Sequence, residues 1–254
     1  MRIGFYQMSG VISLKMIELE LKTINITEMQ RFYVDTLGLV LVEQSEDGFT
    51  VQAGATRLTF IREQDESVPY YHFAMNIPEN QIADAKNWLL NRGCSVLQAE
   101  PIDFLNIHAE ADIAYFHGTD AHAVYFEDPA GNLVEFIARH RLGNPSNETF
   151  GSSSILNISE IGFPLRGNTP ETIDFLSARI PLAPFIGDGR SFQMLGDDHG
   201  MFILGDHEIG WYPTRKIPEI HPIRMTVLAE QPNEFQLDGY PYLIRTVPGT
   251  ATEC

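Results

Sequence analysis

Twice in its first 140 residues the chain runs through the same order of elements: a strand, a helix, then a run of at least three strands. In the first pass Ile17, Leu19 and Leu21 alternate with Glu18, Glu20 and Lys22, the two-residue period of a strand with one buried face. Asn25 stands at a helix-capping position with Glu28 three residues on, the spacing of a capping box. A helix is predicted over 26–37, with Met29, Phe32, Tyr33 and Leu37 near one face, and Gly38 ends it as a residue free to take positive φ. Strands are predicted at 39–44, 49–53 and 57–62, parted by the turn signals Glu46-Asp47-Gly48 and Gly54-Ala55.

The order restarts at 71–77. Pro78 sits at a helix start, where its missing N–H leaves nothing unsatisfied, and the helix is predicted to stop near Asn91, before Gly93. A strand at 95–99 precedes a patternless stretch, 100–112, long enough to be functional. Strands at 113–117 and 121–127, the turn Asp128-Pro129-Ala130-Gly131-Asn132 and a closing strand at 133–139 complete the second pass. Residues 142–154, rich in Asn, Ser and Gly, read as a linker. A third unit begins at 159–165, with a helix at 170–178 and strands near 192–195, 201–204, 223–228 and 242–247. The predicted organisation is an extension outside the fold (1–15), a domain at 16–140 made of modules 17–63 and 70–140, a linker at 141–156, and an incomplete third module at 157–254. An odd number of modules leaves one sheet unpaired, so either a homodimer forms or the C-terminal unit folds back over the first pair.

Charge narrows the partners. The chain has 254 residues, 17 Lys+Arg and 34 Asp+Glu, for a formal net charge of −17. A polyanion is repelled by such a chain, so nucleic acid and anionic membrane surfaces are poor partners. The two cysteines, Cys94 and Cys254, make no disulfide framework, and a reducing, cytoplasmic location is expected. The N-terminal residues lack the apolar centre of a secretory signal, and no apolar run is long enough to span a bilayer.

One hairpin carries chemistry. Pro129 fixes φ early in its turn, and Gly131 and Asn132 tolerate positive φ. The register then places Glu135 on the face of Leu133 and Ile137, with Val134 and Phe136 on the other. A carboxylate inside an apolar strand is expensive to bury unless hydrogen bonds or a cation satisfy it.

The segment 123–136, an aromatic strand, Asp128-Pro129-Ala130-Gly131-Asn132 and an apolar strand bearing Glu135, resembles the terminal hairpin of vicinal oxygen chelate modules, the glyoxalase, bleomycin-resistance and ring-cleaving dioxygenase group. Phe32-Tyr33, with Leu37-Gly38 after it, resembles an element of the family's first helix, and His72-Phe73-Ala74 opens the second module. The resemblance covers residues 17–140. It implies an α+β fold in which paired βαβββ modules form a half-open, eight-stranded barrel-like sheet. It also implies divalent-metal ligands on the concave face, one from each module's first strand and a Glu from the last. By position these are Glu18, His72 and Glu135. Glu20 and Lys22 share Glu18's strand face, so the register at that ligand is open by two residues.

A Glu-His-Glu set suits Fe, Mn, Ni or Zn, and departs from the two-His-one-carboxylate set of ring-cleaving dioxygenases. The function implied is a metal-dependent lyase or isomerase acting on a small oxygenated substrate, with Glu18 as general base. The alternative is non-catalytic sequestration of a small molecule, as in bleomycin-resistance proteins, where the acidic composition suits a cationic ligand. A structural or interaction role through the third module is a further reading. Each candidate also has a plain reading: Glu18 as a solvent-facing strand carboxylate, His72 as an ordinary strand histidine, Glu135 as a wet cavity wall. His108, His117 and His122 either line the cavity or are structural. Asp197-Asp198-His199 reads as a solvated turn, and Tyr125 and Phe126 as core residues within reach of a ligand ring.

Overall fold

The computed structural model describes residues 13–102, 107–110, 112–180 and 182–249. Most of the expected extension lies outside the described residues, but Leu14 is buried and the Lys15 carbonyl accepts the Leu228 N–H. The first module comprises β1 (Met16–Thr23), α1 (Ile26–Arg31), β2 (Val40–Gln44), β3 (Gly48–Ala53) and β4 (Thr56–Arg62). The second comprises β5 (His72–Ile77), α2 (Ile82–Asn91), β6 (Ile107–Glu110), β7 (Ile113–Phe116), β8 (Ala121–Glu127) and β9 (Leu133–Arg139). The third is β10 (Asn157–Leu165), α3 (Thr169–Ser177), β11 (Pro184–Gly187), β12 (Phe192–Asp197) and β13 (Gly200–Asp206). Three strands follow: β14 (Ile223–Leu228), β15 (Asn233–Gln236) and β16 (Tyr242–Val247). In all four units the first strand pairs in parallel with the last: β1 with β4, β5 with β9, β10 with β13, β14 with β16.

The third unit is therefore a complete βαβββ module, and the last three strands form a fourth that has no helix between β14 and β15. The sequence hid β6, β11 and β15 because all three are short edge strands: β6 lies inside the stretch 100–112 read as patternless, β11 holds Pro184 and Gly187, and β15 is mostly exposed and polar. Edge strands carry neither the apolar alternation nor the burial that reveals inner ones.

The half-barrel exists, but its modules pair differently from expectation. The nine-stranded sheet runs β11-β12-β13-β10-β5-β9-β8-β7-β6, uniting the second and third modules. The seven-stranded sheet runs β15-β16-β14-β1-β4-β3-β2, uniting the first and the fourth. Each sheet thus draws strands from both sides of the predicted 141–156 linker. Burial explains the choice. Every residue of β5 is buried, as is β10 from Ile158 to Leu165, the mark of strands covered on both faces. These two join antiparallel at the centre of one sheet. Strand β1 alternates, with Glu18, Glu20 and Lys22 left partly or fully exposed, and joins β14 in the other. With four modules paired inside the chain, no sheet requires a second copy to complete it.

One apolar core lies between the sheets, taking Leu19, Leu21, Phe60 and Met225 from one and Phe73, Phe136, Phe163 and Phe202 from the other. A second cluster, with Tyr70, Ala74, Tyr125, Ile137, Ile203 and Trp211, lies on the opposite face of the nine-stranded sheet. Local differences have local causes. The Gln81 N–H bonds to the Pro78 carbonyl in a turn, so α2 starts at Ile82 rather than at Pro78. The strand expected at 95–99 is reduced to a bridge between Val96 and Phe126. The first helix widens to a π turn over Phe32–Thr36, closed by the Leu37 N–H on the Phe32 carbonyl. No described helix is long and apolar enough to cross a membrane.

Candidate metal centre

Strand register builds the site. Tyr125, Glu135, Ala74, Glu160 and Met201 form one row across β8, β9, β5, β10 and β13. Side chains in one row of one face are nearest neighbours, and Ala74 is too small to separate the two carboxylates. Two residues along β5 from Ala74, His72 points to the same face. A bulge at Ser159 sets Glu160, rather than Ser159, opposite Ala74, the re-aiming that bulges perform. His72, Glu135 and Glu160 are all buried, and each offers a ligand atom within 4.8 Å of the others.

The imidazole is oriented by backbone. His72 Nδ1 lies 3.1 Å from the Leu133 carbonyl, which can only accept, so the proton sits on Nδ1 and the Nε2 lone pair faces inward. That Nε2 is 3.7 Å from Glu135 Oε2. Two electron-rich atoms facing each other in a buried site call for a proton or a cation between them. Burial drives the His72 pKa down, opposed by Glu160 and by the bond to Leu133. Burial and then the charge of Glu160 push Glu135 well above the usual carboxylate range. Arg139, fully buried, pairs with Glu160 and donates from Nε to Asn76 Oδ1 at 3.1 Å. Its Nη1 lies 3.6 Å from Asp198 Oδ1. Two carboxylates thus share one guanidinium, with Glu135 beside them unpaired by any Arg or Lys among the described residues. The surplus negative charge and the free imidazole lone pair are the donor set a divalent metal ion takes, so the residues present fit such an ion.

A cavity of about 100 Å³ opens on this set. Phe116, Tyr125, Phe192, Met194, Ile203, Trp211 and Tyr212 supply its apolar walls. The segment between β13 and β14 caps it. Trp211 lies over His72 with ring centroids 5.4 Å apart, seated against Gly162 and Gly205, where any Cβ would meet its ring within 3.0 Å. The Tyr212 hydroxyl donates to the Glu100 carbonyl at 2.9 Å, and Arg215 pairs with Glu100 at 3.2 Å.

Of the expected ligands, His72 and Glu135 meet, and Glu18 does not join them. Glu18 belongs to the seven-stranded sheet, in the row Arg57, Glu18, Thr226, Arg245. It is exposed there and accepts a hydrogen bond from Thr226 Oγ1 at 2.7 Å. Glu20 and Lys22 sit on that same sheet. Glu160 is Glu18's positional equivalent: each follows a bulge on the first strand of its module. A sequence signal existed, since Glu160 stands among Ile158, Ile161 and Phe163 as Glu135 stands among apolar neighbours. Arg139 and Asp198 were also missed; Asp198, read as part of a solvated turn, reaches inward, while Asp197 Oδ1 accepts the His199 and Gly200 N–H groups at the turn. Tyr125 lines the cavity and Phe126 faces the core. His108, His117 and His122 are on the other face of the sheet.

No protein-family model matches the sequence, and neither does any curated protein. Solved structures do match. A Bacillus subtilis subsp. subtilis str. 168 protein with a provisional dioxygenase assignment aligns with a TM-score of 0.57 at 14% identity, over 94% of this chain and 87% of its own. Two glyoxalase I mutants from Zea mays align at a TM-score of 0.55, one with 13% identity over 93% of this chain and 92% of its own, the other with 10% identity over 92% and 94%. The fold is the one these structures share. At these identities the likeness is one of architecture, and function has to be argued from the site.

Proposed function

We propose that this protein is a metal-dependent enzyme of the lyase or isomerase kind, acting on a small oxygenated molecule in the hollow between the second and third modules. The observation that carries this reading is the row Glu135, Ala74, Glu160 with His72 Nε2 beside it. His72, Glu135 and Glu160 would hold the ion. When bound, a divalent metal supplies Lewis-acid stabilisation of charge developing on substrate oxygens. Leu133 locks the His72 tautomer so that Nε2 stays a lone-pair donor. Arg139 pairs with Glu160 and fixes its direction. With Glu18 on the other sheet, a carboxylate of this set would take the substrate proton that Glu18 was expected to take. Trp211 and Tyr212 exclude bulk water and strengthen each electrostatic contact inside. The hollow of about 100 Å³ is of the same order as a cavity of about 150 Å³ that binds benzene. That size favours a small substrate over sequestration of a bulky cationic drug.

Metal analysis of purified protein tests the reading. One equivalent of divalent metal, lost in His72→Ala and Glu160→Gln but retained in Glu18→Ala, is the expected result. Loss in Glu18→Ala alone, or no metal in any of the proteins after dialysis against Mn, Fe, Ni or Zn salts, would overturn it.

A further inference from the structure

Four of the chain's eight histidines gather on the convex face of the nine-stranded sheet, the face turned away from His72. His108 on β6, Tyr115 on β7 and His122 on β8 lie in one row, His117 is two residues beyond Tyr115, and His140 follows β9 directly. The rings stack. Tyr115 lies between His117 and His122, with ring centroids 4.5 Å from each. His108, Tyr115 and His122 also line a groove of about 610 Å³ against α2.

The nitrogens face each other in pairs. His122 Nδ1 is 2.7 Å from His140 Nε2, and His117 Nε2 is 3.2 Å from His108 Nδ1. Two imidazoles on one ion at about 2.0–2.1 Å, spanning an angle between octahedral and tetrahedral values, hold their nitrogens roughly 3 Å apart. The first pair has what the second lacks. It is partly buried, and His140 turns its remote Nδ1 toward Glu79 Oε2 at 3.8 Å. A carboxylate behind a ligating imidazole is the arrangement that fixes tautomer and ring direction in metal sites. Strand pairing holds the two rings at a constant separation, since His122 lies opposite Ala138, two residues before His140.

We propose that His122 Nδ1 and His140 Nε2 form a second metal site, for a late first-row divalent ion such as Zn²⁺, Ni²⁺ or Cu²⁺. Two neutral imidazoles select these ions over Mg²⁺ and Ca²⁺, which take oxygen ligands. The two protein ligands leave the remaining coordination positions open to solvent or to a molecule in the groove. The site is separate from the centre on the concave face, and its assignment stands whether or not that centre binds metal.

Equilibrium dialysis with Zn²⁺ on the full-length His72→Ala/Glu135→Ala variant isolates it. One equivalent of Zn²⁺ is expected to bind, to be absent when His122→Ala and His140→Ala are added, and to weaken at least tenfold with Glu79→Gln. Circular dichroism of each variant checks that the fold is kept, and Cu²⁺ electron paramagnetic resonance reads two-nitrogen coordination that vanishes with His140→Ala. Equal Zn²⁺ binding with and without His122 and His140, or binding that disappears only with His108→Ala/His117→Ala, would overturn the assignment.

Discussion

Glu135 and Glu160 stand in one row of the nine-stranded sheet with only the methyl group of Ala74 between them. They come from different modules, 25 positions apart by number (160 − 135), and meet because β9 and β10 flank the same strand, β5. Ala74 is fully buried, so nothing larger fits without moving a carboxylate. Ala74→Leu is expected to lose bound metal and to cost about 1–3 kcal/mol of stability from overpacking. Metal analysis beside denaturant unfolding checks both; full metal retention would count against the row as the site.

Arg139 should behave as the counter-ion of a buried carboxylate rather than as a replaceable surface charge. Arg139→Met leaves Glu160 buried and uncompensated, with an expected loss of about 3–5 kcal/mol. Adding Glu160→Gln should recover a large part of it. A double-mutant cycle by urea unfolding reads the coupling, and simple additivity would show that the pair is not linked.

A second buried carboxylate ties the first module to the second. Asp128 accepts hydrogen bonds from the Tyr33 hydroxyl, the Ala130 and Asn132 N–H groups and Asn132 Nδ2. Burial outweighs these bonds and raises its pKa from 3.8 to about 6. The folded state therefore binds the proton more tightly than the unfolded chain. The stability this contributes is complete below pH of about 4 and is lost as pH rises through about 6, a change of order 3 kcal/mol for a shift near two units. Asp128→Asn should flatten stability across that window in chemical denaturation at stepped pH. Tyr33→Phe removes a bond that favours the charged form and should cost about 1–3 kcal/mol at neutral pH; no loss would mean that the hydroxyl is satisfied elsewhere.

The cap over the cavity rests on missing side chains. A Cβ at Gly205 would lie 2.7 Å from Trp211 Cη2. Gly205→Ala should lift the Trp211 ring from His72, seen as greater acrylamide quenching of Trp fluorescence in a Trp88→Phe background. Unchanged quenching would mean that the ring shifts without opening the hollow.

The sequence by itself determined the elements and the sort of fold they make. Alternation in β1, the helix start after Asn25 (whose side chain makes no capping hydrogen bond), the Asp128-to-Asn132 turn and a lone Glu among apolar neighbours are local facts, written within a dozen residues each. They were enough to place His72 and Glu135 on strands and to give Glu135 a face, and the resemblance put both on the concave side. Which modules share a sheet was decided only in three dimensions. The choice depends on how much of each first strand is covered on both sides, and that is a property of the assembled sandwich. Strand β5, and β10 from Ile158 on, are buried and found each other; β1, with a charged face, went to the other sheet and took Glu18 with it. Glu160 then filled the position that the resemblance had given to Glu18, because a bulge at Ser159 shifts the strand by one residue. A bulge is set by the partner strand as much as by the residue that forms it, so no reading of a single segment could supply it.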